Sequence, residues 1–565
     1  MRKLVTLGVA LAGTLVLLAA CQPQTGASKD AMDYASNISA DNIRAHMEFL
    51  ADDLMQGRDT GEPGYEISAN YVATFMKLYG LKPGNGDSFF QSVPFRSATV
   101  VESSASLTLA GETMELDPVD DLVITPSNNE ETASAEGGLV FVGYGIHAPD
   151  FGYSSYEGLD VEGKYVVMVR RGAPDDLPSD ERAYFSSTDH KYAEAQRRGA
   201  IGVITLTSPS WREAYGWDVI SRWVGGGSSF NWVGPEGNVP MSYPDLGVRG
   251  WLSYDMTDKL FEASGHDYEE VIEQLGAGEL VAFDVPGTLT ASVTSEWESI
   301  SSRNVVGVLE GSDPALKEEY VLFSGHLDHT GVRKSVAGSH AEGEAGDGHG
   351  DLINNGAYDN ASGIAILLEI MRVYSNMETR PRRSMVFLAV TAEEKGLLGS
   401  EYWGANPTLD IDKVSANVNL DMPILTFPIA DVVGYGVEHS ELHEIVEEKA
   451  GMLDLALSPD PKPEEVIFVR SDQYSFVKEG VPAVFLVPGF NSRDEAINGE
   501  EAWEEFSSEH YHKPSDDLSL PYNKEAAFDF AATNFLVGLE VANRDKRVEW
   551  KDNFFGRQFG PLREQ

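Results

Sequence analysis

At 565 residues the chain is too long for one hydrophobic core, and 42% apolar with 10% aromatic residues excludes a disordered protein. Lys and Arg number 42 against 90 Asp and Glu, a net charge of −48, so the surface repels phosphate and excludes nucleic acid and anionic headgroups as favoured partners. The only cysteine, Cys21, excludes an internal disulfide.

Residues 1–20 read as an export address. Arg2-Lys3 opens it, residues 4–17 are apolar, and Leu18-Ala19-Ala20 precedes Cys21. The Leu-Ala-Ala-Cys order resembles a bacterial lipobox, which implies an exported lipoprotein whose only membrane contact is a lipid on Cys21. Residues 21–35 suit a flexible tether. Residues 36–100 begin the main domain. There Tyr65, Ala69, Val72, Phe75, Met76 and Tyr79 recur at three- and four-residue steps, which predicts a helix with one apolar face, closed by Gly80. Ahead of it, Gln56-Gly57-Arg58-Asp59-Thr60-Gly61 reads as a turn with glycines as punctuation.

Residues 101–295 change character. Runs at 139–144, 165–170 and 201–206 are strand-like, with a helical stretch at 191–198. Val161-Glu162-Gly163-Lys164 before one strand and Gly199-Ala200 before another give this layout a resemblance to a protease-associated (PA) domain. It shows no cluster of metal or nucleophile residues, so a lid, substrate-restricting or interaction role is expected. Its aromatic residues Trp211, Tyr215, Trp217, Trp223, Phe230 and Trp232 either line a cleft or pack locally, and local packing is the expectation.

From Ser302 strands alternate with helices again, giving a domain over 296–545 and a tail over 546–565. Its apolar runs end in metal-binding side chains. Val321-Leu322-Phe323 leads into Ser324-Gly325-His326-Leu327-Asp328. The run 385–390 ends in Thr391-Ala392-Glu393-Glu394, and 416–420 ends in Asp421. Asp359-Asn360-Ala361-Ser362-Gly363 opens an apolar helix. Continuous apolar runs predict buried, mostly parallel strands, whose carboxyl ends open into one crevice. An imidazole and several carboxylates converge there, the donor types that hold zinc. A late Glu509-His510-Tyr511-His512-Lys513-Pro514 offers two further imidazoles, and His329, His340 and His349 read as loop or outer histidines. The acid- and glycine-rich loop 332–352 is read as solvated, with cation binding through Glu342, Glu344, Asp347 and Asp351 as the alternative.

Taken in this order, these motifs resemble the co-catalytic di-zinc exopeptidase family, which includes secreted bacterial aminopeptidases and glutamate carboxypeptidase, over residues 38–543. The resemblance implies an α/β fold: a mostly parallel mixed sheet flanked by helices, of the zinc exopeptidase (phosphorylase/hydrolase-like) kind, with a β-rich PA domain inserted. It implies two Zn2+ per chain, one on His326 and Asp421, the other on Glu394 and His512, with Asp359 bridging. Glu393 would be the general base, and the Asp328 carboxylate would orient the His326 imidazole. His512 is preferred to His510 because the family's ligand stands two residues before the proline. The implied reaction is removal of N-terminal residues from peptides. A carboxypeptidase is the alternative, and would need an arginine such as Arg470 or Arg493 for the terminal carboxylate. A non-catalytic binding protein and a single-zinc cyclase on this fold are the remaining rivals.

Overall fold

The computed structural model describes residues 27–170, 172–240, 243–333 and 351–564. The export segment with Cys21, and His340, Glu342, Glu344, Asp347 and His349 of the acid-rich loop, lie outside the described residues. Helix α1 (Ala27–Ala35) occupies the second half of the expected tether. The segment is ordered there because Ala31, Met32, Tyr34 and Ala35 pack against the main core. Helix α2 (Ala40–Leu50) starts at Ser39, whose side chain accepts the Asn42 amide. Helix α3 (Pro63–Leu78) has proline in its first turn and buries Tyr65, Ala69, Val72 and Met76, the face expected from their spacing.

Strand β1 (Phe90–Leu109) carries the chain out into the insertion. The insertion is built on β2 (Thr132–Phe141), β3 (Tyr165–Val169), β4 (Gly202–Leu206) and β5 (Val248–Leu252). They pair in that order and are parallel throughout. Helices α4 (Ser179–Ser186) and α5 (Thr188–Arg197) lie between β3 and β4. Strand β6 (Phe283–Leu309) brings the chain back, antiparallel to β1 from Gly287 opposite Leu109 to Val305 opposite Phe90. The expected boundaries, 101 and 295, fall inside these two strands. Insertion and main domain therefore share one 16-stranded sheet.

The main domain continues with β7 (Tyr320–His326), α6 (Gly363–Ser375), β8 (Ser384–Val390), β9 (Val414–Asn419), β10 (Asp431–Tyr435), β11 (Ala456–Ser458), β12 (Ala483–Pro488) and α7 (Lys524–Asn543). At its centre the order is β12-β9-β7-β8, all parallel. β6 is antiparallel to β8 on one flank, and β10 is antiparallel to β12 on the other. Every residue of β8 and β9 is buried, because both faces of the sheet are covered. Val321 and Phe323 of β7 pack with α6 and α7 on one face; Leu322 packs with Trp403 and Phe476 on the other. No helix among the described residues is long and apolar enough to cross a membrane.

Candidate functional site

The carboxyl ends of the central strands carry the site. His326 is the last residue of β7, Glu393 and Glu394 follow β8, Asp421 follows β9, and Asp359 lies just ahead of α6. His326 Nε2 is 2.9 Å from Asp421 Oδ1 and 3.3 Å from Asp359 Oδ1. On the other side of Asp359, His512 Nε2 is 3.2 Å from Asp359 Oδ2 and 3.1 Å from Glu394 Oε2. Asp359 thus presents one oxygen to each group. His329, read as a loop or outer histidine, also enters: its Nδ1 is 2.6 Å from Glu394 Oε1. The turn after β7 brings it there, a placement the residue spacing alone did not reveal.

The backbone bends sharply wherever a side chain must turn inward. Ala392 (φ 57°), Met422 (φ 40°) and His512 (φ 56°) all occupy the left-handed region. For residues other than glycine this costs about 1–2 kcal/mol each, and it persists only where the surroundings enforce it. Ala392 breaks the strand alternation that would otherwise send Glu393 and Glu394 to opposite faces. Gly356 has φ +59°, and a Cβ there would come within 2.1 Å of Asp359 O and 2.6 Å of the His329 ring. No side chain fits.

Asp328 acts differently from the expectation. His326 Nδ1 donates to the Asp328 main-chain carbonyl at 3.1 Å. The Asp328 carboxylate, fully buried, accepts the Glu393 amide at 3.2 Å and the Glu394 amide at 3.3 Å instead. The imidazole is steadied by a peptide group; the carboxylate steadies the two glutamates. Two groups without an assigned role also hold the site. The Asp516 carboxylate accepts the Tyr358 amide at 2.9 Å and the Asp359 amide at 3.1 Å, and the Ser471 hydroxyl donates to Asp421 Oδ2 at 2.5 Å. Bonds to main-chain amides leave no mark in residue spacing, so Asp516 was not legible.

Carboxylates crowd this space. Burial works to raise the Asp359 carboxyl, but hydrogen bonds from His326 and His512 and the charge of His329 hold it well below the usual range. Burial lowers His512, yet its bonds to Asp359 and Glu394 bring it up to about 10. Glu393 is pushed well above the ordinary carboxylate range by burial; His326 opposes this, while Asp421 and Glu394 add to it. The geometry concentrates negative charge in this space. Divalent cations suit the same position. The Nδ1 bond of His326 leaves Nε2 facing Asp359 and Asp421, the tautomer a metal ligand needs. Two sets, His326 with Asp359 and Asp421, and His329 with Asp359 and Glu394, each bring their donor atoms within 4.8 Å of one another. Nitrogen and carboxylate oxygen in such numbers fit zinc.

Beside these residues opens a cavity of ≈300 Å³. His326, Asp359, Glu393 and Asp421 form its polar end; Ile424, Phe427, Phe485, Val487, Phe490 and Trp503 make it apolar. Arg470 is in its wall, and its Nη1 is 3.4 Å from Glu465 Oε2. Arg493 is not: it pairs with Glu525 and Asp529. His510 is bonded to Ser515, Nδ1 to Oγ 3.0 Å. At the edges of the acid-rich loop, Arg333 donates to His512 O at 2.8 Å and Asp351 accepts the Ile353 amide at 2.9 Å.

No residue of the insertion is among those lining this cavity. Of the aromatic residues, Trp223 packs on Tyr215 (5.1 Å between ring centres), Trp217 on Tyr254 (5.7 Å) and Phe230 on Phe95 (4.9 Å), whereas Trp232 packs on Tyr402 of the main domain (5.5 Å), in a cluster with Ala392 and Leu398. The insertion reaches the cavity from behind. Ala183 and Tyr184 of α4 share an apolar cluster with Val466, Ile467 and Phe468, and Ile467 lines the cavity. Beside that contact lies a third group of potential ligands, Asp180, Glu438 and His439. The Asn553 side-chain amide faces His439 Nδ1 at 3.1 Å, which makes Nδ1 the acceptor. Nε2 then carries the proton and donates to Asp180 at 2.7 Å. This is a hydrogen-bonded latch between the two domains.

Two groups of imidazoles and carboxylates sharing one aspartate, at the strand ends of a parallel sheet, form a candidate metal centre. Residues 304–536 match the model of peptidase family M28. A probable glutamate carboxypeptidase LAMP1 of Arabidopsis thaliana is 27% identical over 259 residues, which are 41% of this chain and 33% of that protein. A probable leucine aminopeptidase 2 of Aspergillus oryzae is 26% identical over 262 residues, 43% of this chain and 46% of that protein. Less than two thirds of either relative is spanned. The aminopeptidase from Aneurinibacillus sp. strain AM-1 shares the fold, with a TM-score of 0.50 at 19% identity over 92% of this chain and 97% of that one.

Proposed function

We propose that the protein is a zinc-dependent exopeptidase that removes residues from the free N-terminus of peptides. The observation that carries this reading is Asp359, whose two oxygens face two separate ligand groups. In the proposal His326 and Asp421 hold one zinc, Glu394 and His512 the other, and Asp359 both. Bound zinc supplies Lewis acidity, lowering the pKa of water and polarising a peptide carbonyl. Glu393 lines the cavity with His326, Asp359 and Asp421 and holds no metal in this scheme, so it would take a proton from the attacking water and pass it to the departing amine. Asp328 fixes its position through the Glu393 amide. The apolar cavity receives the side chain of the N-terminal residue, and the carboxylate-rich end favours a cationic amine.

The carboxypeptidase reading is supported by Arg470 in the cavity wall, but that guanidinium already faces Glu465. The inserted domain is, in this proposal, a PA domain. Export with a lipid on Cys21 is inferred from the Leu18–Cys21 sequence alone. The deciding experiment is a panel of peptides with apolar ends, free or blocked at either terminus, given to the zinc-loaded protein. Loss of cleavage on N-terminal acetylation is expected. Cleavage that survives acetylation but requires a free C-terminal carboxylate would replace the aminopeptidase with a carboxypeptidase.

A further inference from the structure

We propose that residues 56–60, which lie outside the segment matching the family, are a positioning element for one of the two metal sites, the one built from Glu394, His512 and Asp359. The proposal rests on the two-zinc reading above.

Arg58 is 1% exposed, and the four hydrogen bonds of its guanidinium go to main-chain carbonyls. Nε donates to Leu327 O at 3.0 Å, Nη1 to Leu50 O at 2.6 Å and Asn355 O at 2.7 Å, and Nη2 to Gly356 O at 2.9 Å. Leu327 stands next to His326, and Gly356 stands three residues before Asp359. One planar guanidinium therefore fixes the segment after β7 against the loop that carries the bridging aspartate. Burying a cation costs several kcal/mol unless its surroundings compensate. Here burial lowers the Arg58 guanidinium to about 10, and the negative charge of Asp516, Asp359, Asp328 and Glu394 offsets part of that cost.

The same short loop reaches Glu394 by three routes. The Arg58 carbonyl accepts the His329 amide at 3.3 Å, and His329 contacts Glu394. Asp59 Oδ1 is 2.9 Å from the Lys395 ammonium, one residue past Glu394. Thr60 Oγ1 donates at 3.3 Å to Asp328 Oδ2, the oxygen that accepts the Glu394 amide. The loop holds an unfavourable backbone to do this: Gln56, Gly57 and Arg58 have φ of 49°, 66° and 51°. A Cβ on Gly57 would come within 2.4 Å of Asn354 O and 2.7 Å of Gly331 O, so the loop sits directly on the chain it supports. Consecutive left-handed residues persist where surrounding contacts over-determine them.

The other metal position has further anchors of its own. His326 and Asp421 sit at the ends of neighbouring paired strands, joined by the Leu420 amide on Ser324 O at 2.8 Å, and Ser471 secures Asp421. Damage to the loop should therefore separate the two sites.

The test titrates zinc-free protein with Zn2+ by calorimetry, counts zinc after dialysis, and records the Co2+ absorption spectrum for wild type, Arg58→Lys, Asp59→Asn and Thr60→Val. Asp59 is 33% exposed at its side chain, so Asp59→Asn leaves the core untouched if Arg58→Lys fails to fold. Asp59→Asn and Thr60→Val should each keep one zinc at wild-type affinity and bind the second roughly 10- to 100-fold more weakly, the range for groups that support metal ligands. Their Co2+ spectra should lose the contribution of one ion. Two zincs bound undiminished by both variants, or equal weakening of both sites, overturns the proposal. A wild-type protein that binds fewer than two zincs overturns the two-zinc reading instead.

Discussion

Glu393 and Glu394 are adjacent in sequence and opposite in circumstance. Glu394 meets two imidazoles, while Glu393 lines the cavity, pushed toward protonation by burial against the opposing pull of His326. Glu393→Gln keeps the shape but removes the proton acceptor. It should retain the zinc content of the wild type and lose roughly 100- to 10,000-fold in kcat; steady-state kinetics beside elemental analysis checks both, and near-normal turnover removes Glu393 from the mechanism. The histidines separate in the same way. His512→Ala should lose one zinc on dialysis. His329→Ala should keep both but bind one more weakly, and His510→Ala, whose ring is bonded to Ser515, should change neither. His326, Glu393, Glu394 and Asp421 were legible because each follows an apolar run that could only be a buried strand. His329 and Asp516 were not, since their positions come from turns and amide bonds with no periodic trace in the chain.

Helix α4 belongs to the insertion yet packs behind the cavity wall. The strands on either side of it and the apolar face of α3 could be read from periodicity. The docking of α4 onto Phe468 could not, because it depends on two surfaces nearly 300 residues apart. A contact of this kind can alter substrate fit without touching substrate. Ala183→Trp overfills the shared cluster and should press on Ile467, changing KM severalfold for residues with bulky side chains while kcat stays within about twofold. Trp223, 50% exposed in a local aromatic group, serves as the control: Trp223→Ala should leave both constants unchanged on short and long peptides. Equal changes in the two variants would remove the distinction drawn between them.

At the scale of the molecule, β1 and β6 are the main link. β6 alone has 27 residues, a length of roughly 90 Å at the usual rise per residue. It pairs with β1 inside the insertion and with β8 inside the main domain. Far from this ribbon in sequence, the Asp180–His439–Asn553 latch ties the insertion to the main domain a second time. Fastening at two separated places disfavours a clamshell opening and leaves torsion of the ribbon as the expected motion. The expected consequence is an insertion that keeps one orientation relative to the main domain. Spin labels on α5 and α7 should report one narrow distance distribution, unchanged by a bound peptide analogue. Asp180→Asn should broaden it without creating a second population, because the ribbon still bears the load.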